Sequence, residues 1–121
     1  MTWLLIALGA AFGAPARYLT DRAIQARHDT VFPWGTFTVN VTGSFILGAL
    51  AGAGPRIPPA LIAGVGIGFC GALTTYSTFG YETFKLAQQG TRLLAVANGI
   101  GSVLAGLGAA TIGWAVGSVL L

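Results

Sequence analysis

Four long apolar stretches limit what this chain can fold into. A helix needs roughly 20 apolar residues to cross the hydrocarbon core of a membrane, and 55% of this chain is hydrophobic while only 7% is charged. The stretches cover residues 3–18, 34–54, 59–86 and 93–121. The sequence therefore predicts an all-α integral membrane fold, in which residues 1–121 form a single four-helix transmembrane domain.

The first stretch is the shortest, and its length is compatible with a signal peptide. Signal peptides carry a basic segment ahead of their apolar core, whereas no Lys or Arg precedes this stretch. Gly9 and Gly13 are separated by four positions, a spacing at which small residues let membrane helices approach closely. We therefore expect the stretch to be the first helix of the domain.

Composition and motifs argue against several classes of protein. The six scattered Lys and Arg residues do not form the clustered basic surface that nucleic-acid binding needs. The single cysteine, Cys70, cannot form an internal disulfide, and His28 has no Cys or His neighbour at the spacing of metal ligands. No nucleophile with a base and no phosphate-binding loop is found in the sequence, so we expect no enzyme activity.

Basic residues are distributed unequally between the two sides of the predicted bundle. One side, with the first and third connections, has five of them: Arg17, Arg22, Arg27, Lys85 and Arg92. The other side has Arg56 alone. Because Lys and Arg favour the cytoplasmic side, we expect the first and third connections in the cytoplasm and both termini outside.

The third stretch is longer than one straight membrane helix. From Pro59 to Gly90 there are 32 residues, which as a continuous helix would extend roughly 48 Å, whereas the hydrocarbon core is about 30 Å thick. Tilt and protrusion into water can take up part of this length. The remainder predicts that the third helix is broken at mid-membrane.

Residues 68–79, called the polar segment below, are where we expect this break. Gly71 tolerates irregular dihedrals, and the run Thr74-Thr75-Tyr76-Ser77-Thr78 contains hydroxyl side chains that compete for backbone hydrogen bonds. Polar side chains at membrane depth are costly unless they face protein or a water-filled path. An unwound turn also leaves carbonyl oxygens that a cation satisfies and an anion does not. The polar segment therefore indicates a solute pathway and a cation site.

Two other stretches carry polar and small residues at a spacing of four, which places each set on one helix face. Small residues of this kind pack helices together, whereas an amide such as that of Asn40 is costly inside a membrane. Either a solute or a hydrogen bond to another helix would account for Asn40. The two sets are Thr36, Asn40, Ser44, Gly48 and Gly52, and Asn98, Ser102, Gly106 and Ala110.

Arg17 lies at the end of the first stretch, on the face that Gly9 and Gly13 also occupy. Two interpretations stay open. Its guanidinium can extend to the membrane surface while its alkyl stem stays in apolar surroundings, or it can make an electropositive vestibule that concentrates anions.

The chain closely resembles the Fluc (CrcB) family of bacterial fluoride channels. Three segments carry the resemblance, which extends over essentially the whole chain: Gly9–Tyr18, Trp34–Phe45 and Gly68–Phe79. The resemblance implies a passive, fluoride-selective channel that lowers cellular fluoride across the cytoplasmic membrane. It also implies an antiparallel dimer of four-helix subunits with two pores at the interface. A structural sodium ion at its centre would be held by backbone carbonyls, which fall here on Gly71 and Thr74.

The pore and vestibule residues are likewise implied by the resemblance, position by position. They are Asn40, Tyr76, Ser77, Thr78, Phe79, Ser102 and, at the fourth-helix position, Asn98, with Arg17 in the vestibule. Such a set suits fluoride, which is small and strongly hydrated: amides and hydroxyls donate hydrogen bonds, and aromatic ring edges are weakly positive. The chain departs from the family at two positions, where Tyr76 replaces a phenylalanine and Asn98 replaces a tyrosine.

Two other functions and two assemblies are kept as alternatives. A small multidrug-resistance transporter also has four spans, but it needs a carboxylate inside the membrane, and Glu82 is near the end of a span. A membrane scaffold would explain the glycine faces and not the polar segment. The unequal basic residues favour one orientation in the membrane. A single orientation favours a dimer with an oppositely oriented homologue, and a dimer of the chain with itself is kept as the alternative.

Overall fold

The computed structural model describes residues 2–28 and 31–121, which form a bundle of long helices with no β-strand among them. Helix α1 is Thr2–Arg27, α2 is Trp34–Ala53 and α6 is Arg92–Leu120. The third helical run, Pro59–Gln88, is made of several pieces. All four runs are long and apolar enough to cross a membrane.

Helix α1 continues beyond the predicted end of its apolar stretch. Residues assigned from the sequence to the first connection, including Asp21, Arg22 and Arg27, lie in its last turns. Pro15 is inside the helix, where it cannot donate a backbone hydrogen bond, yet prolines are tolerated in membrane helices because neighbouring groups satisfy the freed carbonyl. Polar residues therefore extend the helix past the part that composition marks as apolar.

The third run changes its helical geometry along its length. After α3, Pro59–Leu61, the chain winds as a π-helix over Ile62–Cys70 and returns to α-helix in α4, Gly71–Leu73. Residues 74–76 lie outside regular helix, and α5 begins at Ser77 and ends at Gln88. The backbone of Thr74 is extended, with φ −81° and ψ 159°. The polar segment therefore contains the junction between α4 and α5.

Glycines bring the helices into backbone contact. A Cβ atom at Gly9 would overlap the carbonyl oxygen of Gly64 in the π-helix, and one at Gly48 of α2 would overlap that of Ala110 in α6. Both neighbours are backbone atoms, which cannot move aside as a flexible side chain can. The packing interpretation of these two glycines is confirmed.

Arg56 joins the ends of two helices. Its Nε donates to the carbonyl oxygen of Ala53 at 3.0 Å, and its Nη2 donates to the carbonyl oxygens of Gly117 at 3.0 Å and Ser118 at 3.2 Å. The last carbonyls of a helix have no partner within the helix and form the negative end of its dipole. Arg56 therefore stabilises the C-terminal ends of α2 and α6 together.

The bundle leaves large apolar side chains on its outside. Tyr76 is 85% exposed, Leu107 is 63% exposed and Ile100 is 58% exposed. In water such a surface would be unfavourable, whereas lipid or another membrane chain covers it without cost. The exposed faces therefore agree with a chain that lies within a membrane.

Candidate functional site

Asn40 of α2 holds the junction between α4 and α5. Its Nδ2 donates to the carbonyl oxygen of Thr75 at 2.9 Å, and its Oδ1 accepts from the backbone N–H of Thr75 at 2.8 Å. The amide thus binds both backbone groups of one residue. Of the two interpretations of Asn40, the structure shows the hydrogen bond between helical runs, and contact with a solute stays a prediction.

The hydrogen bond that the Thr75 N–H donates to Asn40 affects the carbonyl oxygen of Gly71. In a continuous α-helix the N–H of Thr75 would donate to the carbonyl oxygen of Gly71, four residues earlier. Here that N–H donates to Asn40 instead. Gly71 also faces open space, because a Cβ atom there would meet nothing within 4 Å. The Gly71 carbonyl is therefore an acceptor released from helical pairing.

Thr74 is fixed by the residue one turn before it. Its backbone N–H donates to the carbonyl oxygen of Cys70 at 3.0 Å, and its Oγ1 donates to the same oxygen at 2.9 Å. Its methyl group lies against Gly43 of α2, where an added Cβ would overlap it. The side chain thus positions the extended backbone, while the Thr74 carbonyl is free of the α-helical geometry.

A groove of about 470 Å³ runs beside this junction and opens on the outer surface of the chain. Its walls come from α2, from the start of the α5 region and from α6. Both faces with a spacing of four therefore meet in one place. The polar and aromatic side chains that line the groove are Asn40, Ser44, Thr74, Thr75, Tyr76, Phe79 and Ser102.

Two aromatic rings border the groove. The ring centroids of Tyr76 and Phe79 are 6.3 Å apart, with an angle of 42° between the ring planes. Tyr76 is highly exposed, whereas Phe79 is partly covered. Their spacing lies within the range of ordinary aromatic pairs, so the two predicted ring positions are brought together.

Ser77 and Thr78 lie at the first turn of α5 and do not line the groove. The N–H of Thr78 donates to Oγ1 of Thr75 at 3.2 Å, which caps a backbone donor that has no partner within the helix. Thr78 instead lines a second cavity of about 420 Å³, together with Tyr81, Glu82 and Lys85. Of the predicted pore hydroxyls, Ser102 thus lines the groove, Thr78 lines the second cavity and Ser77 lines neither.

Glu82 is more enclosed than its place near a span end suggested. Its Oε1 is buried and has no hydrogen-bond partner within the described part of the chain. A buried carboxylate oxygen without a partner is costly. Helix α1 continues past Tyr18, so Asp21 and Gln25 lie beside Gly35 of α2, and Gln25 lines the same cavity as Glu82.

Asn98 is buried between α5 and α6 and is only 1% exposed. Its Nδ2 donates to Oγ1 of Thr83 at 2.8 Å, and its Oδ1 accepts from Oγ of Ser102 at 3.2 Å. Ser102 lines the groove, whereas Asn98 does not. The structure therefore places Asn98 behind Ser102, and its contact with a solute stays a prediction.

Arg17 is half-buried on α1 and lines neither the groove nor the second cavity. Both of its interpretations, an interfacial side chain and an electropositive vestibule, therefore stay predictions.

The sequence reasoning missed two residues that the structure brings into the site. Thr75 receives both bonds of Asn40, and Thr83 receives the bond of Asn98. Phe79 and Thr83 are four residues apart in α5, so they share one helix face. That spacing is the signal in the sequence that would have found Thr83, whereas Thr75 lies in the non-helical junction, where no periodicity marks it.

A family model and several named proteins match most of this chain. Residues 4–114 match a family model described as CrcB-like protein, Camphor Resistance (CrcB). A protein of Frankia casuarinae named Fluoride-specific ion channel FluC 1 is 65% identical over 120 residues, which cover 93% of each chain.

Two further relatives have the same name. The protein of Streptomyces avermitilis is 57% identical over 115 residues, covering 93% of each chain. The protein of Thermobifida fusca is 49% identical over 115 residues, covering 95% of this chain and 94% of the relative. All three names describe ion channels and none describes an enzyme, in agreement with the expectation from the sequence.

The family match and the helices support each other. Four helical runs of membrane-spanning length and composition make the chain a multi-pass membrane protein. Since the matched residues extend over nearly all of these runs, the chain belongs to the CrcB-like protein family.

Proposed function

We propose that this protein is a fluoride-selective channel that exports fluoride passively across the bacterial cytoplasmic membrane and lowers its cellular concentration. One observation carries the proposal: hydroxyl and amide groups of α2 and α6 line the same groove as the rings of Tyr76 and Phe79. The names of the relatives point to the same ion.

The lining suits a small anion because it offers donors. Fluoride loses strong hydration on entering a pore, and only groups that replace water's hydrogen bonds can offset that loss. Ser44 and Ser102 bring hydroxyls to the groove, and a hydroxyl hydrogen can rotate toward an anion. The second hydrogen of Asn40 Nδ2 is a further donor, since Thr75 takes only one.

The groove also suits passive conduction. None of its described lining residues is Asp, Glu, Lys, Arg or His. A transporter that exchanges protons for its solute typically has a carboxylate or an imidazole along the path, and none of the described lining residues has one. The ion would therefore follow its own electrochemical gradient. Membership of the CrcB-like family, whose quoted relatives are named as channels, likewise argues against a small multidrug-resistance transporter and against a scaffold.

A structural sodium ion fits the junction between α4 and α5. The carbonyl of Gly71 has lost its helical partner to Asn40, and the carbonyl of Thr74 belongs to extended backbone. Carbonyl oxygens are suitable ligands for a hard cation. If the junction lies at mid-membrane, as the length of the third run predicts, an ion would neutralise these acceptors where water is scarce.

Two observations favour a dimer. The groove is open on the outer surface, so one chain does not enclose a pore. In addition, a hard cation takes more than two oxygen ligands, whereas one chain offers two carbonyls at the junction. An antiparallel second subunit would close each groove and add its own two carbonyls. That subunit is either a second copy or a homologue of opposite orientation, as the unequal basic residues favour.

The test is anion efflux from liposomes that contain the purified protein. Fluoride release should be fast while chloride stays inside, when both are driven by the same potential. Phe79→Ile should slow fluoride release because it removes a ring edge from the groove. Ile67→Val, an exposed position on the π-helix, is the matched control and should leave the rate unchanged. Equal release of both anions would exclude the proposed selectivity.

The same experiment separates the two assemblies. If the chain pairs with itself, it conducts when expressed and purified alone. If it needs a homologue of opposite orientation, the single chain alone does not conduct fluoride, and co-expression with that homologue gives a conducting dimer.

A further inference from the structure

Thr83 lies one helical turn after Phe79, and its hydroxyl makes two hydrogen bonds. Oγ1 donates to the carbonyl oxygen of Phe79 at 2.8 Å and accepts from Nδ2 of Asn98 at 2.8 Å. A threonine hydroxyl has one hydrogen to donate, and here that hydrogen is used. The direction of the hydroxyl is therefore fixed from both sides.

The partner of Thr83 is itself fixed. Asn98 is 1% exposed, and its Oδ1 accepts from Oγ of Ser102 at 3.2 Å. A buried amide that loses a partner becomes costly, so the chain of bonds from Ser102 through Asn98 to Thr83 is held together. It connects the groove side of α6 to the backbone of α5.

Residues 76–79 include the two rings that line the groove and the first hydroxyls of α5. Hydrogen bonds to neighbouring helices hold the chain on both sides of this segment. Before it, Thr75 is bound to α2 by Asn40. After it, Thr83 is bound to α6 by Asn98. Helix α5 has only 12 residues and starts after non-helical backbone, so no continuous helix sets its position. Short helices depend on tertiary contacts for their placement.

We propose that Thr83 is a positioning residue for the fluoride path. By tying α5 to Asn98, its hydroxyl fixes the far end of segment 76–79, as Asn40 fixes the near end through Thr75. Phe79 is thereby held against the groove. The inference deepens the proposed function and rests on it wherever ion flux is measured.

The hydrogen bonds of Asn98 make it a second positioning residue. Its amide is engaged by Thr83 and Ser102, so it acts on the path through Ser102 and through α5. For Ser102 to donate its hydrogen to an anion, it must release Asn98 Oδ1. The bond to Thr83 keeps the amide in place while that exchange occurs, so Ser102 can return to it.

The test compares variants of the full-length channel in liposomes. Thr83→Val removes the hydroxyl at nearly constant shape and should lower the fluoride rate per channel by roughly three- to tenfold, the effect of one lost hydrogen bond. Thr83→Ser keeps the hydroxyl and should restore the parent rate. Thr111→Val is the matched control, because Thr111 makes the same kind of bond to the carbonyl oxygen of Leu107 at 2.8 Å and is not itself a lining residue of the groove.

Two readouts separate positioning from mere folding. In sparsely loaded liposomes the fraction of vesicles that empties counts active channels, while the rate within that fraction measures each channel. A structural role would change only the fraction. If Thr83→Val does not assemble, Thr83→Ala removes the same hydroxyl. Rates per channel in either variant that equal the parent's would overturn the inference.

A measurement without flux distinguishes failure of this inference from failure of the proposed function. With fluorinated phenylalanine incorporated, the resonance of Phe79 is identified by its loss in Phe79→Leu. It should be single and narrow in the parent and shifted or broadened in Thr83→Val, and Thr83→Ser should return it. If the parent does not conduct fluoride, the proposed function fails; an unchanged Phe79 resonance in Thr83→Val refutes the positioning role itself.

Discussion

Asn40 and Thr75 form a two-point contact: the side-chain amide donates to the carbonyl at 2.9 Å and accepts from the N–H at 2.8 Å. These are the two groups that Thr75 would otherwise use in a helix. The contact thus replaces helical pairing at one residue and leaves the Gly71 carbonyl without its usual donor.

Asn40→Asp should abolish or strongly reduce fluoride flux. A carboxylate keeps the acceptor for the Thr75 N–H but has no hydrogen for the Thr75 carbonyl, so two acceptors would face each other. Leaving such groups unpaired costs about 1–3 kcal/mol, which corresponds to roughly five- to 150-fold in rate or in the population of the competent state. Efflux from liposomes measures it. Thr42→Val, on the exposed side of α2, is the control, and a fully active Asn40→Asp protein would contradict the role of this contact.

Gly43→Ala should disturb the junction through Thr74. The added methyl group would overlap the methyl of Thr74, and overpacking of this kind costs about 1–3 kcal/mol. The double variant Gly43→Ala with Thr74→Ser should recover, because serine lacks that methyl and keeps the Oγ1 bond to Cys70. Thermal unfolding and fluoride efflux are both informative. Failure of the double variant to recover either property would show that this contact is not the cause.

Sodium should be required while the dimer assembles. The acceptors at Gly71 and Thr74 are backbone oxygens, so withholding sodium should lower the yield of conducting dimer, whereas Thr74→Ser alone should have little effect. Purification with potassium or an organic cation in place of sodium, followed by size-exclusion chromatography and efflux, tests this. A dimer that forms and conducts equally well without sodium would refute the sodium site.

Gly48→Ala should destabilise the bundle by about 1–3 kcal/mol. The new methyl group would meet the Ala110 carbonyl oxygen of α6, and backbone atoms at a helix contact have no room to retreat. Gly108→Ala is the matched control, since its Cβ would meet nothing within 4 Å and alanine favours helix by up to about 1 kcal/mol. Thermal unfolding in detergent compares the two. Equal stability of both variants would exclude the close approach of α2 and α6.

Much of the fold follows from residue type. The apolar stretches and their lengths predicted four helical runs, and the structure places helical runs at all four. Composition did not predict how far α1 continues, because polar residues such as Arg22 join a helix as readily as apolar ones once it has begun. The π-helix over Ile62–Cys70 was not predicted either; it packs closely against α1 through Gly9 and Gly68, a contact between segments that are distant in sequence.

The residues of the candidate site could be predicted from the sequence better than the hydrogen bonds between them. The polar segment and the two faces with a spacing of four were visible as hydroxyls, amides and glycines inside apolar stretches. Their partners were not visible. Hydrogen-bond partners such as Asn40 and Thr75 are 35 positions apart, and no local pattern specifies which of several acceptors a buried amide reaches.

By itself, the sequence determined three properties: that this protein is a membrane protein, in which segments its polar groups are concentrated, and which hydrogen-bonding groups they offer. Those properties depend on composition and on helical periodicity, which are local. The tertiary structure alone decided that Asn40 is bound to the backbone of Thr75 and Asn98 to Thr83, and that Ser77 and Thr78 lie apart from the groove. These outcomes depend on how helices distant in sequence pack, because an amide satisfies its hydrogen bonds with whatever group that packing brings within reach.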